Sequence, residues 1–117
     1  MSDHKRSKCP VACTLDILGD KWTLLVVRDL LMGKTIYSEL QQSPEAIPTN
    51  ILAQRLKQLQ SLQIISKQPY QDKPVRYAYQ LTEKGKALRG VLLAMVKWGN
   101  QYVDDTMTSE EIRRLIK

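Results

Sequence analysis

Several absences bound this chain before any motif does. No twenty-residue apolar stretch occurs; the longest apolar run, residues 91–96, is far too short to cross a bilayer, so no membrane partner is expected. Histidine occurs once, as His4, and cysteine twice, as Cys9 and Cys13. Two thiols four positions apart make no disulfide framework, which favours a reducing cytoplasm. The opening residues MSDHKRSKCPVAC are too polar for a signal peptide. A glycine-rich phosphate loop, metal-ligand spacing and a nucleophile elbow are all missing. The adjacent carboxylates Asp104-Asp105 and Glu110-Glu111 flank helix ends, where macrodipole and solvation account for them. No enzyme, cofactor or metal centre is expected.

One local absence carries more information. Residues 49–62, TNILAQRLKQLQSL, contain no Asp or Glu. At helical period Leu52, Leu56, Leu59 and Leu62 fall on one side with Ile51 at the edge, and Asn50, Gln54, Lys57 and Ser61 on the other. Solvated helices ordinarily mix both charge signs. An outer face of amides, hydroxyls and one cation suits a polyanion whose bases display donors and acceptors.

The charge distribution agrees. Of the 117 residues, 18 are Lys or Arg and 12 Asp or Glu, giving +6. Between Arg55 and Arg89 there are eight cations against Asp72 and Glu83, so the whole excess lies in one third of the chain. Such a patch favours phosphate by counterion release and steering.

In chain order, residues 1–8 read as a disordered basic tail and residues 9–117 as one domain. Pro10 suits a first helical position, and Val11, Leu15 and Leu18 share a stripe up to Gly19. Asp20 can cap a second helix, KWTLLVVRDLLM, ending at Gly33. That helix is apolar nearly all round, as a buried axle would be, and Arg28 and Asp29 within it need partners. A token strand over 34–37 precedes a short helix opened by Ser38-Glu39-Leu40-Gln41 as a capping box and stopped at Ser43-Pro44. Pro48 disfavours helix at Ile47, leaving Thr49 as the cap of the amide-faced helix. A short helix, a link and a longer exposed helix make a helix-turn-helix.

The period then becomes two. Residues 64–71 read as an edge strand marked by Pro69, Asp72-Lys73-Pro74 as a turn, and Val75, Tyr77, Tyr79 and Leu81 as one face of a half-buried strand. Lys67, Lys73 and Arg76 sit on this hairpin. Thr82 is expected to cap one long helix, EKGKALRGVLLAMVKWGNQYV, and Thr108-Ser109-Glu110-Glu111 is a second capping box. The expected fold is therefore α+β, mostly helical: a winged helix-turn-helix with additional terminal helices.

The chain resembles the HxlR-type family of bacterial winged-helix transcriptional regulators, cousins of the MarR group. The matching residues are Cys9-Pro10-Val11, Thr14-Leu15-Asp16, Gly19-Asp20-Lys21-Trp22-Thr23, Ser38-Glu39-Leu40, Leu52-Ala53-Gln54-Arg55-Leu56, Tyr79-Gln80-Leu81-Thr82 with Gly85, and Trp98-Gly99. They run over roughly residues 9 to 103 in the family's order. The resemblance implies a protein that binds operator DNA as a dimer and represses or activates nearby genes. One departure, Pro48-Thr49 where Ser-Pro is frequent, bears on the placement of the first turn and so on the base contacts.

On that footing the candidate partner is double-stranded DNA. Asn50 and Gln54 can each make a bidentate contact to adenine, worth roughly 1–3 kcal/mol of discrimination. Lys57 suits a phosphate, and Lys73 and Arg76 the neighbouring minor groove or backbone. Thr49 opens the helix. Ser38 can donate to a phosphate or cap its own helix. For Arg55 a phosphate role competes evenly with an ion pair to Glu39 or Asp29. A homodimer is expected through Val11, Leu15 and Leu18 of the first helix and Val91, Val96, Trp98, Tyr102 and Val103 of the last, since their apolar surface exceeds what one small core uses. Trp22 and Trp98 are core or interface residues rather than ligand clamps. A winged-helix module that docks only proteins is the alternative; it would show little affinity for any duplex even at low salt.

Cys9 precedes Pro10 at a helix start, where the dipole and the charges of Lys5, Arg6 and Lys8 favour a reactive thiolate. The resemblance adds that family members respond to oxidants or electrophiles through a cysteine at this position. Cys13 lies one turn on, but i,i+4 Cβ atoms stand about 5–6 Å apart, beyond the roughly 3.5–4.5 Å of a disulfide. A bridge within one chain would have to unwind that turn. The alternative is a capping and packing role for Cys9, with a small-molecule signal or none.

Overall fold

The structure, a computed structural model, describes residues 6–116. Residues 1–5, assigned to the tail, and Lys117 lie outside the described residues. Arg6 to Lys8, also placed in that tail, run against the first helix instead. Arg6 pairs with Asp16 at 2.6 Å and donates to the Ala12 carbonyl.

Helix α1 spans Pro10–Leu18, with Cys9 at its N-cap and Pro10 at the first position, where the missing N–H costs nothing. Helix α2 spans Thr23–Leu31 and starts two residues later than expected. The reason is Asp20, whose Oδ2 accepts from both Trp22 N and Thr23 N at 3.0 Å and so caps the helix from further back. Gly33, at φ +99°, ends it in the left-handed conformation that favours glycine. Val26, Val27, Leu30 and Leu31 are buried and Leu24 and Leu25 half-buried, so α2 is indeed the axle of the core. Around it pack α3 (Tyr37–Leu40), α4 (Thr49–Ser61) and α6 (Arg89–Tyr102). Leu40, Ile47, Leu52, Leu56, Leu59 and Leu92 close the same apolar cluster.

Two caps differ from expectation. Ile36, not Ser38, stands at the N-cap of α3, because Glu39 Oε1 reaches back to Thr35 N (2.9 Å) and Ile36 N (3.2 Å) and sets the start one turn before itself. Thr49 is the first helical residue of α4 rather than its cap; Pro48 holds the cap position with no side-chain hydrogen bond.

Strands β1 (Ile65–Asp72) and β2 (Val75–Leu81) form an antiparallel hairpin in register Ile65↔Leu81, with an irregularity between Pro69 and Gln71. That is where an edge proline belongs. The token strand is a single bridge, Ile36↔Ala78, reinforced by Tyr79 N donating to the Thr35 carbonyl at 2.7 Å. The expected half-burial of β2 holds only for its base. Tyr79 and Leu81 are half-buried, whereas Val75 and Tyr77 are exposed, since beyond the Ile36 bridge the hairpin faces α3 only across an open notch. Alternation reports two different faces, not a body under one of them.

Gln63, at φ +61°, turns the chain out of α4 into β1. The Ile64 carbonyl then accepts from Thr82 N at 3.0 Å, while the Thr82 hydroxyl donates to the adjacent Gln63 carbonyl at 2.7 Å. Thr82 also accepts from Gly85 N, capping α5 (Glu83–Lys86). The long terminal helix is therefore two helices, α5 and α6, separated by Ala87 and Leu88. Gly85 explains the break: a Cβ there would stand 2.2 Å from the Ile64 carbonyl oxygen, so α5 is pressed against the strand entry and α6 leaves by a tighter turn, with Leu88 N bonded to Gly85 O. Helix α7 (Ser109–Leu115) opens on the expected box, Thr108 N to Glu111 Oε2 at 2.8 Å and Glu111 N to Thr108 Oγ1 at 3.1 Å. It lies along α6, joined by Ser109 to Asn100 Oδ1 at 2.7 Å. Among the described residues no helix is long and apolar enough to cross a membrane.

Candidate nucleic-acid interface

With Leu52, Leu56 and Leu59 buried, α4 turns Thr49, Asn50, Gln54 and Lys57 outward, all exposed. The hairpin carries Lys73 and Arg76, exposed at its far end, with Lys67 Nζ 4.2 Å from the centre of the Tyr77 ring. Ser38, exposed on α3, lines one open notch of about 330 Å³ with Gln41, Tyr70, Val75 and Arg76. The fold thus brings Ser38 to Arg76 across the gap between α3 and the hairpin, a neighbourhood that the 38-residue separation concealed.

Arg55 is the exception on α4. It is half-buried and its Nε donates to Asp20 Oδ2 at 2.9 Å. An ion pair was one of its two expected roles, but with Glu39 or Asp29; both of those are committed elsewhere, Glu39 to the Thr35 and Ile36 amides just before α3 and Asp29 to Arg28. A second hold on α4 escaped the sequence altogether. The Tyr37 hydroxyl donates to the Thr49 carbonyl at 2.9 Å.

The basic third of the chain proves narrower than its composition. Lys84 Nζ donates to the Leu62 carbonyl at 2.7 Å, where a cation complements the end of α4, Lys86 faces Glu83 at 3.5 Å, and Arg55 is matched by Asp20. Arg89 lies away, lining a cavity with Leu30, Leu31 and Gln80. The cations left on the α4 and hairpin side are Lys57, Lys67, Lys73 and Arg76.

Behind this surface Arg28 organises a charged network. It donates to Asp29 Oδ1 at 2.9 Å and by both terminal nitrogens to Glu45, at 2.7 and 2.6 Å, with Ser43 bridging to Glu45 at 2.8 Å. Asp29 is buried, which satisfies the expectation that these charges need partners. The Arg28 fork holds the Glu45 carboxyl at about 2, and the same carboxylates raise Arg28 itself. At Asp20, burial works to raise the carboxyl, yet hydrogen bonds from Thr23 and Arg55 outweigh it and bring it to about 2.

The two thiols are free, Cys9 exposed and Cys13 half-buried, with Cys13 Sγ 3.4 Å from the Ser7 carbonyl oxygen. Arg6, expected to add charge near Cys9, is neutralised by Asp16, and Lys5 lies outside the described residues. The expected interface residues divide. Val11 (66% exposed), Leu15, Val91, Trp98, Tyr102 and Val103 are open, and Met95 joins the stripe. Leu18 does not belong with them: it is buried within the chain, lining a small cavity with Ile17, Ile64 and Leu88. Val96 is half-buried and faces a groove of about 340 Å³ towards α7 rather than the open stripe. Trp98 stacks at a tilt on Tyr102, ring centres 5.3 Å apart.

A short helix, a longer helix with an exposed polar face, a basic hairpin and a returning helix define a winged helix-turn-helix protein. More narrowly, the chain belongs to the HxlR-like helix-turn-helix family of transcriptional regulators, whose pattern it matches over residues 17–107. It is similar to the HTH-type transcriptional regulator YdeP of Bacillus subtilis, 34% identical over 106 residues that cover 91% of this chain and 83% of YdeP. YodB of the same organism is also 34% identical over 106 residues, covering 88% and 95%. Among solved structures, reduced YodB superimposes with a TM-score of 0.67 at 31% identity, over 86% of this chain and 100% of YodB. The oxidised redox regulator HypR does so at 0.73 and 31%, over 82% and 99%.

Because Asp20 and Glu45 are held near 2, below their ordinary 3.8 and 4.5, their bonds stabilise the fold fully above about pH 4.5 and are lost as the pH falls towards 2. Unfolding stability should be flat from neutrality to about pH 5 and then decline. Asp20→Asn combined with Glu45→Gln should remove up to about two protons' worth of that slope. An unchanged acid limb in the double variant would contradict both pairings.

Proposed function

We propose that this regulator is a repressor that binds an inverted-repeat operator as a homodimer and releases it in response to a thiol-reactive signal at Cys9. The observation that carries the DNA reading is the exposed, carboxylate-free face of α4 beside four cations that remain on its side of the molecule. Asn50 and Gln54 read bases, Lys57 and Ser38 hold phosphate, Thr49 approaches the backbone at the helix start, and Lys73 and Arg76 follow the adjoining groove. Gln54→Ala should weaken a selected operator by about 5- to 150-fold while sparing random duplex. Lys73→Ala should weaken both alike and flatten the salt slope by about one unit. If neither substitution changes affinity at low salt, the surface has been misassigned, and a protein-docking role takes its place.

Pairing through α1 and α6 is supported by the exposed stripe of Val91, Met95, Trp98 and Tyr102, spaced by helical turns, and by the exposure of Val11 and Leu15 on α1. A lone winged helix reads few base pairs, and a two-fold pair doubles the site. Sedimentation at micromolar concentration should give a dimer for the wild type and a monomer for Trp98→Glu; a monomeric wild type would sink the idea.

The thiol reading is supported by the exposure of Cys9 at the α1 N-cap and by the redox relatives: YodB has been solved reduced and after diamide treatment, and HypR in both redox forms. Diamide should lower operator affinity for the wild type and not for Cys9→Ser. Equal affinity in all four samples would leave Cys9 a capping residue.

A further inference from the structure

We propose that Asp20 is a positioning residue for DNA reading: it lies off the α4 face, yet fixes how α4 presents that face. The proposal rests on the assignment of α4 as the reading helix.

The leucines Leu52, Leu56 and Leu59 hold α4 against the body, but the hydrophobic attraction is non-directional and sets rotation about the helix axis less sharply than a hydrogen bond does. Directional contacts sharpen that setting. At the first residue the Tyr37 hydroxyl takes the Thr49 carbonyl, and at mid-helix Arg55 Nε meets Asp20 Oδ2 at 2.9 Å. At 1.5 Å rise per residue these two holds stand about 9 Å apart along the axis. Lys84 Nζ holds the far end at the Leu62 carbonyl, 2.7 Å away; of the three, only the Arg55 contact is made by a side chain from the middle of the helix, between Gln54 and Lys57.

Asp20 is suited to the task because it is itself fixed. The same Oδ2 accepts from Trp22 N and Thr23 N at 3.0 Å, and Oδ1 accepts from the Thr23 hydroxyl, which is buried. The guanidinium is thus docked on a carboxylate locked to the α2 N-terminus, unlike a surface pair in which two mobile side chains share one contact. Arg55 directly follows Gln54 and stands two positions before Lys57, so its direction sets theirs at about 100° per residue. Bidentate base contacts tolerate only a few tenths of an ångström in donor–acceptor distance, and a small swivel is enough to lose them.

The test uses the full chain and the duplex that the wild type enriches from a randomised pool, compared with random duplex. Asp20→Asn keeps an oxygen able to cap α2 and removes the charge that orients Arg55. It should bind the enriched duplex about tenfold more weakly, with random-duplex affinity, salt slope and far-ultraviolet circular dichroism unchanged. Arg55→Gln should do the same, and the double variant should be no weaker than either single one. Unchanged discrimination in Asp20→Asn overturns the proposal. It is equally overturned if Arg55→Gln weakens both duplexes alike and flattens the salt slope by about one unit, since Arg55 is then a phosphate contact. Should Asp20→Asn misfold, Arg55→Gln decides alone by the same two readouts. Failure of the wild type to enrich any duplex removes the reading-helix assignment and the proposal together; enrichment without loss in the variants removes the proposal only.

Discussion

A carboxylate buried on a helix that is apolar on almost every side is the constraint on which the rest of this domain depends. Asp29 is only 1% exposed there, and breaking a buried pair by removing one partner costs about 3–5 kcal/mol. Its neighbour Arg28 supplies the cation, and the geometry of a guanidinium then recruits more than one acceptor. The fork that faces Glu45 ties the link between α3 and α4 to α2, through a residue 17 positions away. An internal charge requirement in the core helix thereby becomes a restraint on the two helices of the helix-turn-helix. The Asp20–Arg55 pair and the Tyr37–Thr49 hydrogen bond act in the same sense from the other side.

Local features of the fold were legible in the sequence because their causes are local. The leucine period of α4, the proline at the start of α1, the Gly33 terminator and the Thr108 box each need only a few neighbouring residues. The misses have longer causes. Residues 87 and 88 are Ala and Leu, ordinary helix formers, and Gly85 alone does not require the α5–α6 break; it arises where Gly85 meets Ile64, brought there by the hairpin. Ser38 is a good capping residue by type, but Glu39 reaching back to Thr35 and Ile36 decides the start. Leu15 and Leu18 share one stripe on a helical wheel. Only the packing of α1 on Ile64 and Leu88 separates an open residue from a buried one.

The candidate surface shows the same division. The outward face of α4 follows from period alone, and Asn50, Gln54 and Lys57 lie where that period puts them. Net charge pointed to one third of the chain but counted Arg55 and Lys86, which are paired with carboxylates, and Lys84, which is bonded to the Leu62 carbonyl. Composition sums charges without knowing which are already answered. Conversely, no sequence rule joins Asp20 to Arg55 or Ser38 to Arg76, since both depend on how α2, α3 and the hairpin assemble.

The Ile64 carbonyl has a mechanical consequence. It is reached just after α4 ends, and it takes the amide of Thr82 at the foot of β2, whose hydroxyl donates to the adjacent Gln63 carbonyl. Helix and hairpin therefore share one bracket, and Lys84 fastens the Leu62 carbonyl to the same corner. Such a bracket makes the two jaws of the molecule a caliper of set width. On the reading proposed for this surface, a duplex held by both has to meet that width by adjusting its own groove, so the elastic cost of a poor match falls on the nucleic acid.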